Sequence, residues 1–395
     1  MTEEVPAALH SPLDPPLPSR PGERLLWGRL YGASAALAIA QAARGGDGLL
    51  LAVVEDVQEA ARLQAELGFL IDGATVPVLG FPDWETLPYD VFSPLPELVS
   101  ERLLTLHRLP SLNRGVLVVP ASTLLQRLAP PAFVHGHTLV LAVGDRLDLD
   151  ATRRRLERAG YACVSQVIAH GEYAVRGSLL DLFPMGSSEP YRIDLFDDEV
   201  ESIRTFDPDS QRSREKVQSI RLLPAREFPL GEETVTAFRQ RYRAAVEGDP
   251  KQSLIYREVS EGRVPGGLEY YLPLFFDETA TLFDYLPEKA RLVEAAGARE
   301  AAAGFLAEVA TRYEQRRHDI ERPLYNARAD SSIYFPSGSA GDHELRLGYS
   351  FRRASDTTTH GWGGQAIGAF WYGFPLEAWL ISDGQYSFRG TRHSL

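Results

Sequence analysis

Residues 48–55, GLLLAVVE, form an unbroken apolar run closed by one carboxylate. A strand with one wet face alternates apolar and polar residues. A run without alternation marks a strand covered on both faces, as in a parallel sheet flanked by helices. The neighbouring stretches agree. SAALAIAQAAR (34–44) is an alanine-rich helix and VQEAARLQAELGFL (57–70) an amphipathic one. TVPVLGFP (75–82) reads as a second strand, LVSERLLTLHRLPSL (98–112) as a third helix, and RGVLVVPA (114–121) as a third buried strand. STLLQRLAP (122–130) follows as a helix, with Ser122 or Thr123 suited to capping it. Strands alternating with helices predict an α/β fold with a mostly parallel sheet.

The whole chain supports that reading. Its 395 residues, 44% hydrophobic and 24% charged, are enough for two or three packed domains. With 54 acidic and 41 basic side chains the net charge is −13, so a polyanion such as DNA is not the expected main partner. A local basic patch remains compatible with that total. One cysteine, Cys163, excludes an internal disulfide and a cysteine-built zinc site. Within GYACVSQV it is expected to pack as a small buried apolar residue. The first 22 residues are Pro-rich, lack the basic start and apolar core of a signal peptide, and read as a disordered lead-in. No stretch approaches the roughly 18 apolar residues of a membrane span. The expectation is a cytoplasmic protein with no membrane partner.

From residue 133 the texture changes. After TLVLAVGDRLD (138–148) and the helix DATRRRLERAGY (150–161) come short alternating strands: EYAVRG (172–177), SLLDLFP (178–184), YRIDLFD (191–197) and EVESIRTFD (199–207). Turn-forming clusters separate them, which predicts an antiparallel meander. Near Leu222 the α/β character resumes with the helix ETVTAFRQRYRAAVEG (233–248), a strand-like YYLPLFFDE (270–278) and the long helix 299–319. The expected organisation is a parallel-sheet domain in two segments, 23–132 and 223–325, with an α+β domain inserted at 133–222. Residues 326–395, rich in Gly, Ser, Arg, His and aromatics, form a tail of different composition.

A split α/β domain invites a search for a phosphate loop, which needs glycines, a Lys for the β/γ charge and a Ser/Thr for Mg²⁺. LYGASAALAIA (30–40) stands in the expected place. It supplies Gly32, but Ala35 and Ala36 occupy the Lys and Ser/Thr positions. LPLFFDE (272–278) reads as an apolar strand ending in the carboxylates Asp277 and Glu278 that could orient Mg²⁺ and water. Without the lysine loop such a pair cannot run phosphoryl transfer. The expectation is an NTPase-like scaffold with no activity, no metal and no cofactor. Other constellations carry less. His135 and His137 would share one strand face without a third ligand. RRRLER (153–158) could touch phosphates, or form a solvated helix face. PDWETLPYD (82–90) reads as a rigid loop at a strand end.

The meander is more informative. Period-2 geometry puts Tyr191, Ile193 and Leu195 on one face and Arg192, Asp194 and Phe196 on the other. Likewise Tyr173 and Val175 oppose Glu172, Ala174 and Arg176. Between Glu172 and Phe206 eight acidic residues surround three basic ones, which disfavours phosphate. The pattern leaves two readings open: a protein-docking face, or cross-strand pairing of Arg176 or Arg192 with Asp194 and a covered Phe196.

Residues 171–213 (GEYAVRGSLLDLFPMGSSEPYRIDLFDDEVESIRTFDPDSQRS), FPDWETLPYDVFSP (81–94), LLPAREFP (222–229) and GLEYYLPLFFDETATLFDYLP (267–287) together resemble a known family. They are similar to the N-terminal module of bacterial transcription-repair coupling factors, with the likeness running from Arg24 to Leu324. The resemblance implies a fold like that of UvrB: an NTPase-like domain in two segments, its phosphate loop degenerate, with a second domain inserted. The inserted domain of that family recruits the damage sensor UvrA after RNA polymerase stalls at a lesion. The resemblance therefore implies that Arg176, Arg192 and Phe196 contact UvrA. In intact family members a C-terminal domain masks this surface until the motor engages.

Family members continue into an RNA-polymerase-interacting domain and an ATP-driven translocase on double-stranded DNA. Residues 326–395 do not resemble these parts, and are expected to be a disordered tail or the product of a shifted reading frame. The reading that follows is a non-catalytic adaptor for UvrA, with RNA polymerase and double-stranded DNA as partners of the domains not recognised here. Two alternatives stand beside it. One is an ATP-binding or ATP-hydrolysing enzyme resting on Asp277 and Glu278. The other is a UvrB-like damage binder, which calls for an aromatic-rich hairpin that is not seen between Ala40 and Thr123.

Overall fold

The computed structural model describes residues 11–18, 23–28, 30–245 and 250–319, together with four strands between 325 and 378. The first segment contains α1 (Ser34–Gly45), β1 (Gly48–Val54), α2 (Val57–Leu70), β2 (Val78–Gly80), α3 (Pro96–Arg108), β3 (Arg114–Pro120) and the short helices α4 (Ala121–Leu124) and α5 (Pro131–Gly136). Asp56 caps α2 by accepting from the Glu59 N–H, and Pro96 opens α3, where a missing N–H costs nothing. All seven residues of β1 are buried. Leu49, Leu51 and Val53 enter one core with Leu103, Leu106 and Leu117, while Leu50, Ala52 and Val54 enter a second with Ala36, Ile39 and Leu63. The unbroken apolar run thus fills both faces. Gly48 has a left-handed φ of +93°, and a Cβ there would lie 2.2 Å from the Lys289 carbonyl oxygen.

The expected cap at Ser122 or Thr123 is not formed. α4 is only four residues long, and both hydroxyls lie inside it and donate to Asp83 Oδ2, at 2.7 and 3.0 Å. The buried carboxylate outcompetes the helix end for them. His135 and His137 lie on the last turn and C-cap of α5, not on a strand.

The inserted unit runs through β4 (Leu139–Ala142), α6 (Leu149–Arg158), β5 (Ala162–Cys163), β6 (Glu172–Arg176), β7 (Leu179–Leu182), β8 (Tyr191–Phe196), β9 (Glu199–Phe206), β10 (Ser213–Val217) and β11 (Ser219–Leu222). Its main sheet has the order β10-β9-β8-β7-β6-β5, a meander with only β5 joined in parallel. β11 pairs antiparallel with β4, so the chain leaves the insertion beside the point where it entered. Cys163 is exposed rather than buried, because β5 is a two-residue edge strand with both side chains in solvent.

The second segment supplies α7 (Glu232–Ala245), α8 (Leu254–Ser260), β12 (Ala290–Glu294) and α9 (Ala298–Asp319). β12 returns to pair in parallel with β1, giving a parallel sheet of order β12-β1-β3-β2. The expected strand over 270–278 is instead a 3-10 helix, Leu268–Leu274, entered through left-handed Gly267. Pro273 cannot donate to a ladder. The aromatic residues of this stretch pack instead with Phe228 and with Phe238, Tyr242 and Tyr256 of α7 and α8. One hydrophobic cluster joins Leu49 and Leu117 of the parallel sheet to Leu156, Tyr173, Ile193 and Leu195 of the insertion. The fold is therefore mixed α/β, a parallel sheet with separate antiparallel sheets.

In the tail, β13 (Tyr325–Phe335), β14 (His343–Arg353), β15 (Ile367–Trp371) and β16 (Phe374–Ala378) pair antiparallel in that order. The remaining tail residues, like the lead-in 1–10, lie outside the described ones. No described helix is long and apolar enough to cross a membrane.

Candidate protein-docking site

The meander's polar face divides into two halves. Cross-strand register aligns Ala174, Asp181, Arg192 and Arg204 in one row, and Arg176, Leu179, Asp194 and Ser202 in the next. At the first row, Ala174 joins Val167, Phe183 and Phe206 in a small buried cluster. The segment around Val167 thus covers part of a face that alternation alone would leave open.

Arg192 belongs to this covered half. Its Nε donates to Asp181 Oδ1 at 2.7 Å and its Nη2 to Asp181 Oδ2 at 2.9 Å. Nη1 reaches the Gln211 carbonyl and Ser213 Oγ, and the guanidinium lies 5.0 Å from the Phe206 ring centre. The Asp181 hydrogen bond raises the Arg192 pKa above its ordinary value. The partner is Asp181, not Asp194 as pattern suggested. An aspartate inside the apolar run SLLDLFP was the signal for it, since a buried carboxylate needs a cation.

The outer half is at the hairpin tips. Arg176 ends β6 at the tight turn of left-handed Gly177 and is exposed; its Nη2 donates to the Ser165 carbonyl at 2.7 Å. Phe196 ends β8 at the turn Asp197–Asp198, where Asp197 takes a φ of 58°. The Leu195 N–H donates to the Ser178 carbonyl, which sets the two tips side by side. Phe196 is 75% exposed, so no loop covers it. The tips thus present an aromatic ring and a guanidinium held through Nη2 by one backbone carbonyl, and the covered half adds a second guanidinium locked by a carboxylate. Such a set can anchor a protein surface, because aromatic and Arg side chains bury much area at low entropic cost. It holds no nucleophile or matched acid and base.

The nucleotide candidates are not brought together into a site. Gly32 is left-handed at φ +56° in the turn before α1, but among the described residues no strand leads into that turn. Ala36 is fully buried against the sheet, and no side chain caps α1. Ala35 is half-buried beside it. Asp277 and Glu278 are exposed beyond the 3-10 helix, outside the parallel sheet, and Asp277 pairs with Arg241. Among the described residues no group of three or more His, Cys, Asp and Glu side chains could hold a metal.

The motif FPDWETLPYD does contribute, as a joint. Arg102 and Glu227 are buried, with Arg102 Nε 2.6 Å from Glu227 Oε1. Arg102 also donates to the Pro82 carbonyl and Gln126 Oε1, and its guanidinium lies between Phe81 and Trp84, at 4.4 and 4.8 Å. Trp84 Nε1 donates to Glu227 as well. The pair fastens the chain leaving the insertion to the parallel-sheet domain. Sequence reading missed it because its partners are 125 residues apart.

Comparison with known proteins agrees with this architecture. Residues 139–228 match the UvrB interaction domain family, a span that holds the whole meander and ends at the joint. Over 309 residues the chain is 47% identical to the transcription-repair-coupling factor of Escherichia coli (strain K12), covering 78% of this chain. The chain is a homologue of transcription-repair-coupling factors. The Haemophilus influenzae factor is 45% identical over 313 residues, and the Bacillus subtilis factor 27% over 315. The chain spans about a quarter of the length of these relatives: 27%, 27% and 25%.

Proposed function

We propose that this chain serves transcription-coupled nucleotide excision repair as a non-catalytic adaptor that recruits UvrA through the inserted unit. The observation that carries the reading is the bare ring of Phe196 beside Arg176 at the hairpin tips. A solvated phenylalanine forgoes burial that a partner would supply, and the adjoining hairpin adds an ordered arginine within the same surface. The matched UvrB interaction domain and the relatives' printed name point to the same process. Arg176, Arg192 and Phe196 are the residues assigned to UvrA contact, Arg192 through the orientation that Asp181 imposes.

In this reading the parallel-sheet domain is an NTPase-like scaffold that neither binds nor hydrolyses ATP. RNA polymerase and double-stranded DNA are partners of the remaining three quarters of the relatives' length. The test is a pull-down of UvrA by the purified chain. Phe196→Ala should remove UvrA, and Phe69→Ala, which deletes an equally bare ring on α2, should not. Equal retention of UvrA by both variants would sink the proposal.

A further inference from the structure

The arginine run on α6 is not used by the docking site. Thr152 and Leu156 are its buried residues, and Arg153, Arg154, Arg155 and Arg158 are all exposed. At about 100° per residue, Arg154 and Arg158 fall on the side of the helix that faces away from Thr152 and Leu156, and Arg155 flanks Arg158. Arg153 lies on the other flank, where Tyr173 raises its pKa above the ordinary value. Among the described residues the other three side chains make no hydrogen bond or ion pair. The nearby carboxylates are engaged elsewhere or, like Asp150 four residues before Arg154, form no ion pair with the three. Asp148 caps the helix at the Ala151 N–H, and Glu157 accepts from the Tyr173 hydroxyl. The helix macrodipole favours cations in the last turn but supplies no counter-charge for three.

The side of the domain matters too. The bond from Tyr173 to Glu157 puts α6 over the face that carries Tyr173, Ile193 and Leu195, opposite the face of Arg176 and Arg192. The insertion therefore has two working surfaces, back to back. Apart from Ala151, the outward side of α6 offers no apolar residue. Protein interfaces need an apolar centre, whereas a phosphate backbone needs only positioned cations.

We infer that the Arg154–Arg155–Arg158 face of α6 binds the phosphodiester backbone of nucleic acid, without sequence preference, while the opposite face remains free for protein docking. Three phosphate contacts give a salt slope of about −2.7, so affinity for a duplex of about 30 base pairs should fall about 40-fold between roughly 50 and 200 mM salt. The experiment is fluorescence anisotropy of a labelled duplex titrated with the full chain, with polyglutamate as a second labelled probe. Replacing all three arginines by alanine should abolish most of the slope and at least ten-fold of the low-salt affinity. The triple lysine variant should restore both, because point charges suffice for backbone contact. All three side chains are exposed, so unchanged far-UV circular dichroism is expected and checks the fold. Three results would overturn the inference: an alanine variant that binds like the wild type, no duplex binding at the lowest salt, or binding of polyglutamate in preference to the duplex.

Discussion

Arg192 and Asp181 face each other across β7 and β8, joined by two parallel hydrogen bonds of 2.7 and 2.9 Å. Asp181 is almost completely buried and Arg192 about one-fifth exposed. The pair fixes where the guanidinium points. Asp181→Asn keeps the shape but removes the charge, which should cost about 2 kcal/mol of stability in urea melts. In the proposed function it also lowers UvrA affinity, although the substituted side chain is too deeply buried to touch a partner. Full UvrA affinity in a stable Asp181→Asn protein would show that orientation of Arg192 is irrelevant to docking.

The Arg102–Glu227 joint is the most buried ion pair among the described residues, so removing one partner leaves an uncompensated charge. Glu227→Gln should destabilise the protein by about 3–5 kcal/mol in chemical denaturation. Simultaneous replacement of both by apolar residues should recover much of that loss. A neutral single substitution would mean the joint does not hold the insertion in place.

Burial raises the Glu269 pKa to about 7, above the ordinary glutamate value of 4.5, with Ser93 donating to it. The folded protein then binds a proton that the unfolded chain has released. Stability should fall as pH rises from 4.5 to 7 and level off above it. Glu269→Gln should flatten that slope and add on the order of 1–3 kcal/mol at pH 8. Parallel pH–stability curves for the two proteins would contradict this.

No heat should appear when Mg·ATP is titrated into the chain, because Ala35 and Ala36 supply neither ammonium nor metal ligand. Asp277→Ala should change nothing in the same titration. ATP hydrolysis lost on Asp277→Ala would instead favour the enzyme reading.

Much of the architecture was legible because its signals are local. GLLLAVVE and RGVLVVPA announced a parallel sheet, and the alternation from Glu172 to Phe206 announced the meander with its core face. What was not legible depends on distant partners. Ser122 and Thr123 have cap chemistry, yet Asp83 takes their hydroxyls. YYLPLFFDE has strand composition, yet Pro273 and an aromatic layer from α7 and α8 make it a 3-10 helix. Cys163 looked like a core residue because its edge position could not be read from its neighbours. In the candidate site the alternation put Phe196, Arg176 and Arg192 on one face but left open whether they were covered or paired; the exposure of Phe196 and the Asp181 partner of Arg192 required the strand register and turns.

The central claim is that the hairpin tips of the insertion hold UvrA. It is tested most directly by calorimetric titration of UvrA with the wild-type chain and with Arg176→Ala and Phe196→Ala. Each variant should lose about 2–4 kcal/mol of binding free energy while keeping the wild-type melting transition. Wild-type affinity in both variants would contradict the account.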